Sequence, residues 1–181
     1  MSQNDYPIGE RDAERIAVLH EMKILDSIEE GSFDEFTSMC AEIFDVKTVV
    51  ISLVDTDRQW FKSHHGLDAH QTERKLAFCN YTVLGHEIFE VTDPINDPRF
   101  KDNALVTGNL GLRYYCGAPI VIKGMAIGAL CLIDYKKRAP LDEKQRRILT
   151  GLAAVCTRDI QNRHLLKKTT SMMSSILKGM D

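Results

Sequence analysis

The sequence predicts an α+β fold in which an antiparallel sheet lies between terminal helices and a covering segment. Amphipathic stretches open and close the chain, while residues 48–65 and 112–134 have the β-branched and apolar composition of strands. The first predicted strand, residues 48–54, is apolar on both faces and therefore needs protein on both sides. The terminal helices can cover one face, and residues 66–110 are the candidate for the other.

Two helices are predicted before the first strand. The apolar face of the first consists of Val18, Leu19, Met22 and Leu25. The second is expected to open with a capping box, in which the side chains of Ser32 and Glu35 bond the free N–H groups of the first turn. Its apolar stripe consists of Phe33, Phe36, Cys40, Ile43 and Phe44.

The predicted strands form two hairpins. Residues 48–65 make the first, and residues 112–134 make the second, with its turn at Lys123 and Gly124. Between them lies a mixed segment of a kind that often carries a binding site. It contains a short helical stretch at about 76–84, a possible strand at 88–91 and a turn-rich run at 93–100.

The last helix is predicted to begin near Pro140 and Asp142, with Gln145 placed for capping. Its buried face consists of Ile148, Leu149, Leu152, Cys156 and Ile160. We expect one domain over residues 1–165, with a polar tail at 1–10, and a helical extension or tail at 166–181. Three residues of the extension fall on an approximate heptad, Leu166, Met173 and Ile176. The extension could therefore form a coiled coil, and the alternative is a frayed tail.

Composition excludes several classes of protein. Hydrophobic residues make up 44% of the chain, as in globular proteins, and the net charge is -3, so neither nucleic acid nor a membrane is an expected partner. The longest apolar run, residues 126–133, is too short to cross a bilayer. The polar first residues lack the apolar core of a signal peptide, so a cytoplasmic location is expected.

The chain has five cysteines, Cys40, Cys79, Cys116, Cys131 and Cys156. No CxxC spacing occurs, so no zinc site is expected. In a reducing compartment they are expected to be free thiols. Cys40, Cys131 and Cys156 lie in apolar patterns and are interpreted as small buried hydrophobes.

Five segments of the chain, in this order and spacing, resemble the GAF domain family, especially its members upstream of diguanylate cyclases and sensor histidine kinases. The segments are residues 15–26 (RIAVLHEMKILD), 50–66 (VISLVDTDRQWFKSHHG), 73–83 (ERKLAFCNYTV), 93–106 (DPINDPRFKDNALV) and 111–134 (GLRYYCGAPIVIKGMAIGALCLID). Together they cover most of the chain.

The resemblance implies a six-stranded antiparallel sheet, terminal helices on one face and a ligand pocket under the middle segment on the other. It implies a non-catalytic sensory or regulatory domain that binds a small molecule, forms a homodimer through its terminal helices and acts on an output domain or signalling protein. Cys116 stands where the family commonly has a small residue. The Cys-His pair of bilin-attaching relatives and the pattern of cyclic-nucleotide-binding relatives are missing, so the ligand and any cofactor stay unidentified.

Eight residues are candidate ligand contacts: Arg74, Cys79, Asn80, Tyr81, Asp93, Arg99, Arg113 and Tyr115. The first four are placed where the covering helix would face the cavity. Asn80 and Tyr81 can donate and accept hydrogen bonds, which fixes the orientation of a ligand in a mostly apolar pocket. Cys79 is expected to be the most reactive thiol, because Arg74 and Lys75 are close in sequence and a nearby cation stabilises the thiolate.

Arg99 and Arg113 are candidates for holding an anionic or planar ligand through the guanidinium group. Tyr115 follows Arg113 and would supply an aromatic neighbour. For Arg99 the alternative is a loop held together with Asp93 and Asp97. For Arg113 the alternative is a structural ion pair with Asp93, Asp97 or Asp134.

The sequence is also compatible with two other functions. One branch of the GAF family reduces free methionine-R-sulfoxide with cysteines, and Cys79 and Cys116 could be the attacking and resolving thiols. That branch's own cysteine motifs do not match this chain. The other function is a module that only dimerises, with its pocket filled by side chains.

Overall fold

A computed structural model describes residues 6–178. Its centre is an antiparallel sheet of six strands, which are β1 (Thr48–Val54), β2 (Arg58–His65), β3 (Gln71–Glu73), β4 (Phe89–Val91), β5 (Tyr114–Ile122) and β6 (Met125–Asp134). The strand order in the sheet is β3-β2-β1-β6-β5-β4. The expected sheet and its antiparallel pairing are confirmed.

Three helices cover one face of the sheet. They are α1 (Asp12–Glu21), α2 (Gly31–Phe44) and α5 (Glu143–Lys178). Their apolar faces pack on the sheet through residues that include Leu19, Phe33, Cys40, Leu149 and Cys156. The terminal helices therefore lie on the same side, as expected.

Strand β1, one of the two central strands, has apolar side chains on both faces, and all seven of its residues are buried. Val49, Ile51 and Leu53 face the helices, whereas Val50 and Val54 face the other layer. This alternation is what the two-sided apolar pattern required. The second hairpin turns at Lys123 and Gly124, whose φ angles of 52° and 73° fit a two-residue turn with both central residues left-handed.

The segment of residues 66–110, which we call the cover, supplies both the second layer and the two edge strands of the sheet. It holds β3, a 3-10 turn at Arg74–Leu76, α3 (Cys79–Thr82), β4 and α4 (Ala104–Thr107). The stretch predicted as one helix at 76–84 is broken, because Ala77 has extended backbone angles between the 3-10 turn and α3. Phe78, Phe100 and Val106 of the cover are buried against the sheet.

The beginnings of the helices differ from one another. The predicted capping box of α2 is wrong, because Glu30 occupies the N-cap position without a capping bond and its carboxylate binds Lys62. Before α5 the expected cap is present, since Asp142 and Gln145 exchange two hydrogen bonds of 3.0 and 2.8 Å. Ile43, predicted to be buried, is 48% exposed.

Helix α5 continues as one helix well past the body of the domain. Six apolar side chains in its second half are each between 58% and 68% exposed: Leu165, Leu166, Met172, Met173, Ile176 and Leu177. We call these six residues the α5 stripe. Within residues 6–178, no helix has both the length and the apolar character that crossing a membrane requires.

Candidate functional site

A small cavity lies between the sheet and the cover, where the ligand pocket was expected. Its volume is about 30 Å³, room for roughly two water molecules. Strands β1, β2, β5 and β6 form its floor, and α3 and α4 form most of its roof. The lining side chains are Val50, Ser52, Gln59, Phe61, Phe78, Cys79, Leu105, Leu112, Tyr115, Cys131 and Ile133.

Aromatic rings occupy most of the space beneath the cover. Phe78 and Phe100 stack with their ring centroids 3.9 Å apart, and Tyr115 lies 5.2 Å from Phe78. Gly117 leaves room for this arrangement, because a Cβ atom there would lie 2.3 Å from the Tyr115 hydroxyl. The cavity is therefore small because these side chains fill it.

A short hydrogen-bonded chain of polar groups borders the cavity. The hydroxyl groups of Thr82 and Tyr115 are 2.8 Å apart, and the Tyr115 hydroxyl donates to Cys79 Sγ at 3.3 Å. Cys79 Sγ lies 3.4 Å from Cys131 Sγ. Cys79 belongs to α3 of the cover and Cys131 to β6 of the sheet, so the thiol pair joins the two layers.

The surroundings give these groups different acidities. The hydrogen bond from Cys131 lowers the pKa of the Cys79 thiol, against the effect of burial. Burial raises the pKa of Cys131 and of Tyr115 well above their usual values. Burial also raises the pKa of Cys40 to about 11 and that of Cys116 to about 12. Cys79 is therefore the more acidic thiol of the pair that it forms with Cys131.

Arg74 and Asn80, both predicted at the cavity, point away from it. The Asn80 side chain accepts from Arg74 Nε at 3.1 Å and donates to the Arg74 carbonyl at 2.6 Å. Arg74 also binds both carboxylate oxygens of Asp12 at 2.9 and 2.8 Å. These residues line a separate cleft of about 330 Å³ between the cover and the N-terminal segment. Arg74 therefore does not act on Cys79, and the cation proposed to favour its thiolate is engaged elsewhere.

Tyr81, Asp93 and Arg99 lie at the outer side of the cover. The Arg99 guanidinium binds Asp97 through two bonds of 2.9 and 2.6 Å and sits 5.3 Å from the centroid of the Tyr81 ring. Asp93 pairs with Lys137 at 2.8 Å. These contacts agree with the alternative in which Arg99 and Asp97 hold the loop together.

Arg113 binds backbone rather than a carboxylate. Its Nη1 atom donates to the carbonyls of Val106 and Leu112 at 3.0 and 2.9 Å. These bonds fasten the end of α4 to the start of β5. Of the eight candidates, Cys79 and Tyr115 line the cavity, and the ligand-binding role of all eight stays a prediction.

Cys79 and Cys116, which the sequence offered as an alternative pair of attacking and resolving thiols, lie on opposite sides of the sheet. Cys116 faces the helices, whereas Cys79 lies on the cover side of the sheet. Cys131 is the thiol that approaches Cys79, although its apolar surroundings in the sequence indicated only a core residue. Strand alternation places Cys131 on the same face as Ala129, which is the face toward the cover, but it does not identify Cys79 as the residue that it meets there.

Glu90 is a second residue that the sequence did not single out. It lies on the edge strand β4, where its carboxylate accepts bonds of 2.8 Å from the Tyr114 hydroxyl and the Leu141 backbone N–H. The same carboxylate binds Arg146 of α5. Glu90 therefore links the cover strand β4 to the long helix. Across residues 6–178, no three His, Cys, Asp or Glu side chains converge to hold a metal ion.

Comparison with known proteins agrees with this architecture. A cyclic di-GMP phosphodiesterase of Pseudomonas aeruginosa is 36% identical over 164 residues, which are 90% of this chain and 27% of that protein. The chain thus spans about a quarter of the length of this curated relative.

Solved structures share the fold at low sequence identity. The GAF domain of an Acinetobacter phosphoenolpyruvate-protein phosphotransferase superposes with a TM-score of 0.63 at 16% identity, covering 89% of this chain and 99% of that one. The free methionine-R-sulfoxide reductase of Neisseria meningitidis gives a TM-score of 0.62 at 17% identity, with 89% and 96% covered.

The sequence match to the family is direct. The family model described as GAF domain matches residues 29–160, which include every strand of the sheet and the roofed cavity. The chain therefore belongs to the GAF domain family.

Proposed function

We propose that this domain is a regulatory sensor that dimerises through α5, responds to a small molecule beneath its cover and controls an output domain. The relative named above is a cyclic di-GMP phosphodiesterase whose matched region is about a quarter of its length. That proportion supports a role as the regulatory part of a larger protein, and cyclic dinucleotide turnover is the output we propose. Cytoplasmic placement is part of the same proposal.

The α5 stripe is the observation that carries the dimer. Leu166, Met173 and Ile176 follow each other at intervals of seven and three residues, which places them along one side of a helix. Their side chains are about 60% exposed or more. An apolar stripe along a helix that extends beyond its own domain fits a parallel copy of the same helix, because identical stripes face each other about a two-fold axis.

Replacing both Leu166 and Met173 with Glu should abolish the dimer. Two facing pairs of carboxylates in the interface would weaken association by about 100-fold or more. Light scattering coupled to size-exclusion chromatography measures this directly. Ser171→Glu is the matched control, since Ser171 lies on the opposite side of the helix and its substitution should leave the dimer intact. A monomeric unmodified protein at tens of micromolar would contradict the dimer.

The cavity volume of about 30 Å³ means that an organic ligand must displace the cover to bind. Such a displacement has a physical route to α5. Glu90 of β4 binds Arg146, and the same carboxylate accepts from Leu141 directly before α5. Movement of β4 with the cover would therefore alter the anchorage of the helix that we propose to be the output element.

A ligand that binds beneath the cover should raise the melting temperature, because it binds the folded state and not the unfolded chain. A panel of metabolites and nucleotides can be screened by thermal shift. Tyr115→Phe removes a hydroxyl at the cavity and should therefore weaken ligand binding. The apparent Kd derived from the thermal shift should rise by about 5-fold to 10-fold. Tyr135→Phe is the control, because its hydroxyl binds Thr48 at 2.9 Å outside the cavity lining.

The tight packing beneath the cover also favours a second candidate, a domain that only dimerises. It predicts a dimer with no response to any compound in the panel and unchanged amide exchange in the cover. Reduction of free methionine-R-sulfoxide is a weaker alternative. The two thiols that the sequence offers for the attacking and resolving roles, Cys79 and Cys116, lie on opposite sides of the sheet.

A further inference from the structure

The cavity beneath the cover holds a feature that a ligand pocket does not require. Two thiols from different layers, Cys79 of α3 and Cys131 of β6, have their sulfur atoms 3.4 Å apart. A disulfide bond is about 2.05 Å long. The two sulfur atoms therefore need to approach by little more than 1 Å, a distance of the order that side-chain rotation and a small shift of α3 provide.

From this geometry we propose that Cys79 and Cys131 form a redox-active pair that a peroxide oxidises to a reversible disulfide. The proposal goes beyond the ligand-sensing function and does not depend on the dimer. Both sulfur atoms border the cavity, whose 30 Å³ accommodate about two water-sized groups. Hydrogen peroxide, which has two oxygen atoms, is comparable in size to that space.

The two thiols differ in acidity, and this difference distinguishes the attacking cysteine from the resolving one. The Tyr115 hydroxyl donates to Cys79 Sγ at 3.3 Å and lies farther, 3.6 Å, from Cys131 Sγ, and a donated bond favours the thiolate form. The pKa of Cys79 is lowered while that of Cys131 is raised by burial. Since the thiolate is the nucleophile, Cys79 is the attacking residue and Cys131 the resolving residue.

The reaction balances in two steps. The Cys79 sulfur attacks one peroxide oxygen, the O–O bond breaks, and the thiol and peroxide become a sulfenic acid and one water. The Cys131 sulfur then attacks the Cys79 sulfur, the S–O bond breaks, and a second water leaves as the S–S bond forms. The two thiols lose two electrons to the peroxide, and a reduced dithiol such as dithiothreitol returns them.

The disulfide would have a mechanical effect on the domain. It would join α3 of the cover to β6 of the sheet across 52 residues of chain. A cross-link across that length removes conformational freedom from the unfolded chain and holds the cover closed. Oxidation would therefore raise the melting temperature and slow amide exchange in α3.

The test is oxidation of the whole folded protein with hydrogen peroxide, followed by denaturation, thiol alkylation and peptide mass mapping. We expect a Cys79–Cys131 linked peptide, a mass lower by about 2 Da, and full reversal by dithiothreitol. Cys131→Ser should stop the reaction at the Cys79 sulfenic acid, which resists thiol alkylation and is reduced by dithiothreitol. Cys116→Ser is the control and should leave the Cys79–Cys131 disulfide unchanged. Circular dichroism and the melting curve establish that each variant is folded.

Two results would overturn the proposal. One is five alkylatable thiols in wild-type protein after exposure to peroxide that oxidises free cysteine completely. The other is a disulfide or over-oxidised product at Cys40, Cys116 or Cys156 in place of the Cys79–Cys131 link. Neither result bears on the dimer or the ligand, which have their own measurements, so the two proposals can fail separately.

Discussion

Asp12→Ala is expected to lower the free energy of unfolding by about 3–5 kcal/mol, because it leaves two buried cations without their shared anion. The Asp12 carboxylate binds Arg15 at 2.9 Å and Arg74 at 2.8 Å. The side chains of both arginines are less than 5% exposed. Asp12 lies on α1, Arg74 on the cover, and Arg15 donates to the Val54 carbonyl of β1, so the ion cluster joins all three layers.

Urea unfolding followed by circular dichroism measures this effect. Glu14→Ala is the matched control, because Glu14 lies on the same helix and pairs with Arg11 at 2.8 Å, with both side chains at least 60% exposed. Because water solvates both groups of this pair, its loss should change the free energy of unfolding far less than the loss of Asp12. Equal losses for the two variants would contradict the role of Asp12 as the shared anion.

The same cluster predicts a direction for the pH dependence of stability. Burial alone would raise the pKa of Asp12, but hydrogen bonds from Arg74 and Arg15 outweigh it and the net pKa is lowered. A carboxyl group with a lowered pKa contributes stability above its unfolded-state pKa and loses it as the pH falls through the folded-state value. The stability difference between the wild type and Asp12→Ala should therefore narrow in acid.

Gly128→Ala should destabilise the sheet by about 3 kcal/mol through steric overlap. Gly128 of β6 lies opposite Leu53 of β1, and a Cβ atom there would be 2.1 Å from the Ser52 carbonyl oxygen. That oxygen belongs to the backbone of the central strand β1, so relief requires the two strands to separate. Thermal unfolding should show a melting temperature lower by about 6–12 °C.

Gly151→Ala provides the opposite expectation in the same protein. Gly151 is an exposed residue of α5, and apart from its chain neighbours and the backbone of its own helix no atom lies within 4 Å of the position that a Cβ atom would take there. Alanine at this position should stabilise the protein by about 0.5–1 kcal/mol, since glycine is the poorer helix former. If Gly128→Ala did not lower the stability of the protein, like Gly151→Ala, the result would contradict the close contact between β1 and β6 at Gly128.

The layers could be predicted from the sequence because they follow from side-chain periodicity. Val49 and Val50 fall on opposite faces of β1 whatever the distant residues are. The Lys123-Gly124 turn follows from local backbone preferences. These features depend on neighbours in the chain, which the sequence displays directly.

The site could be predicted only in part, because its contacts join residues far apart in the chain. Arg74 was placed near Cys79 by sequence, but its partner is Asp12, which is 62 positions away. Cys131 is 52 positions from Cys79. Periodicity assigns each residue to a face of its element but does not say which distant side chain will meet it there, nor how much space remains.

The shortness of β3 and β4 has a consequence for assembly. These two strands are the edge strands of the sheet, and each has three residues. A short edge strand exposes few unpaired backbone N–H and C=O groups, so a strand from another molecule can form few hydrogen bonds with it. Two such domains can therefore be held close together in a larger protein without their sheets merging into one, and the geometry of the contact is left to the helices.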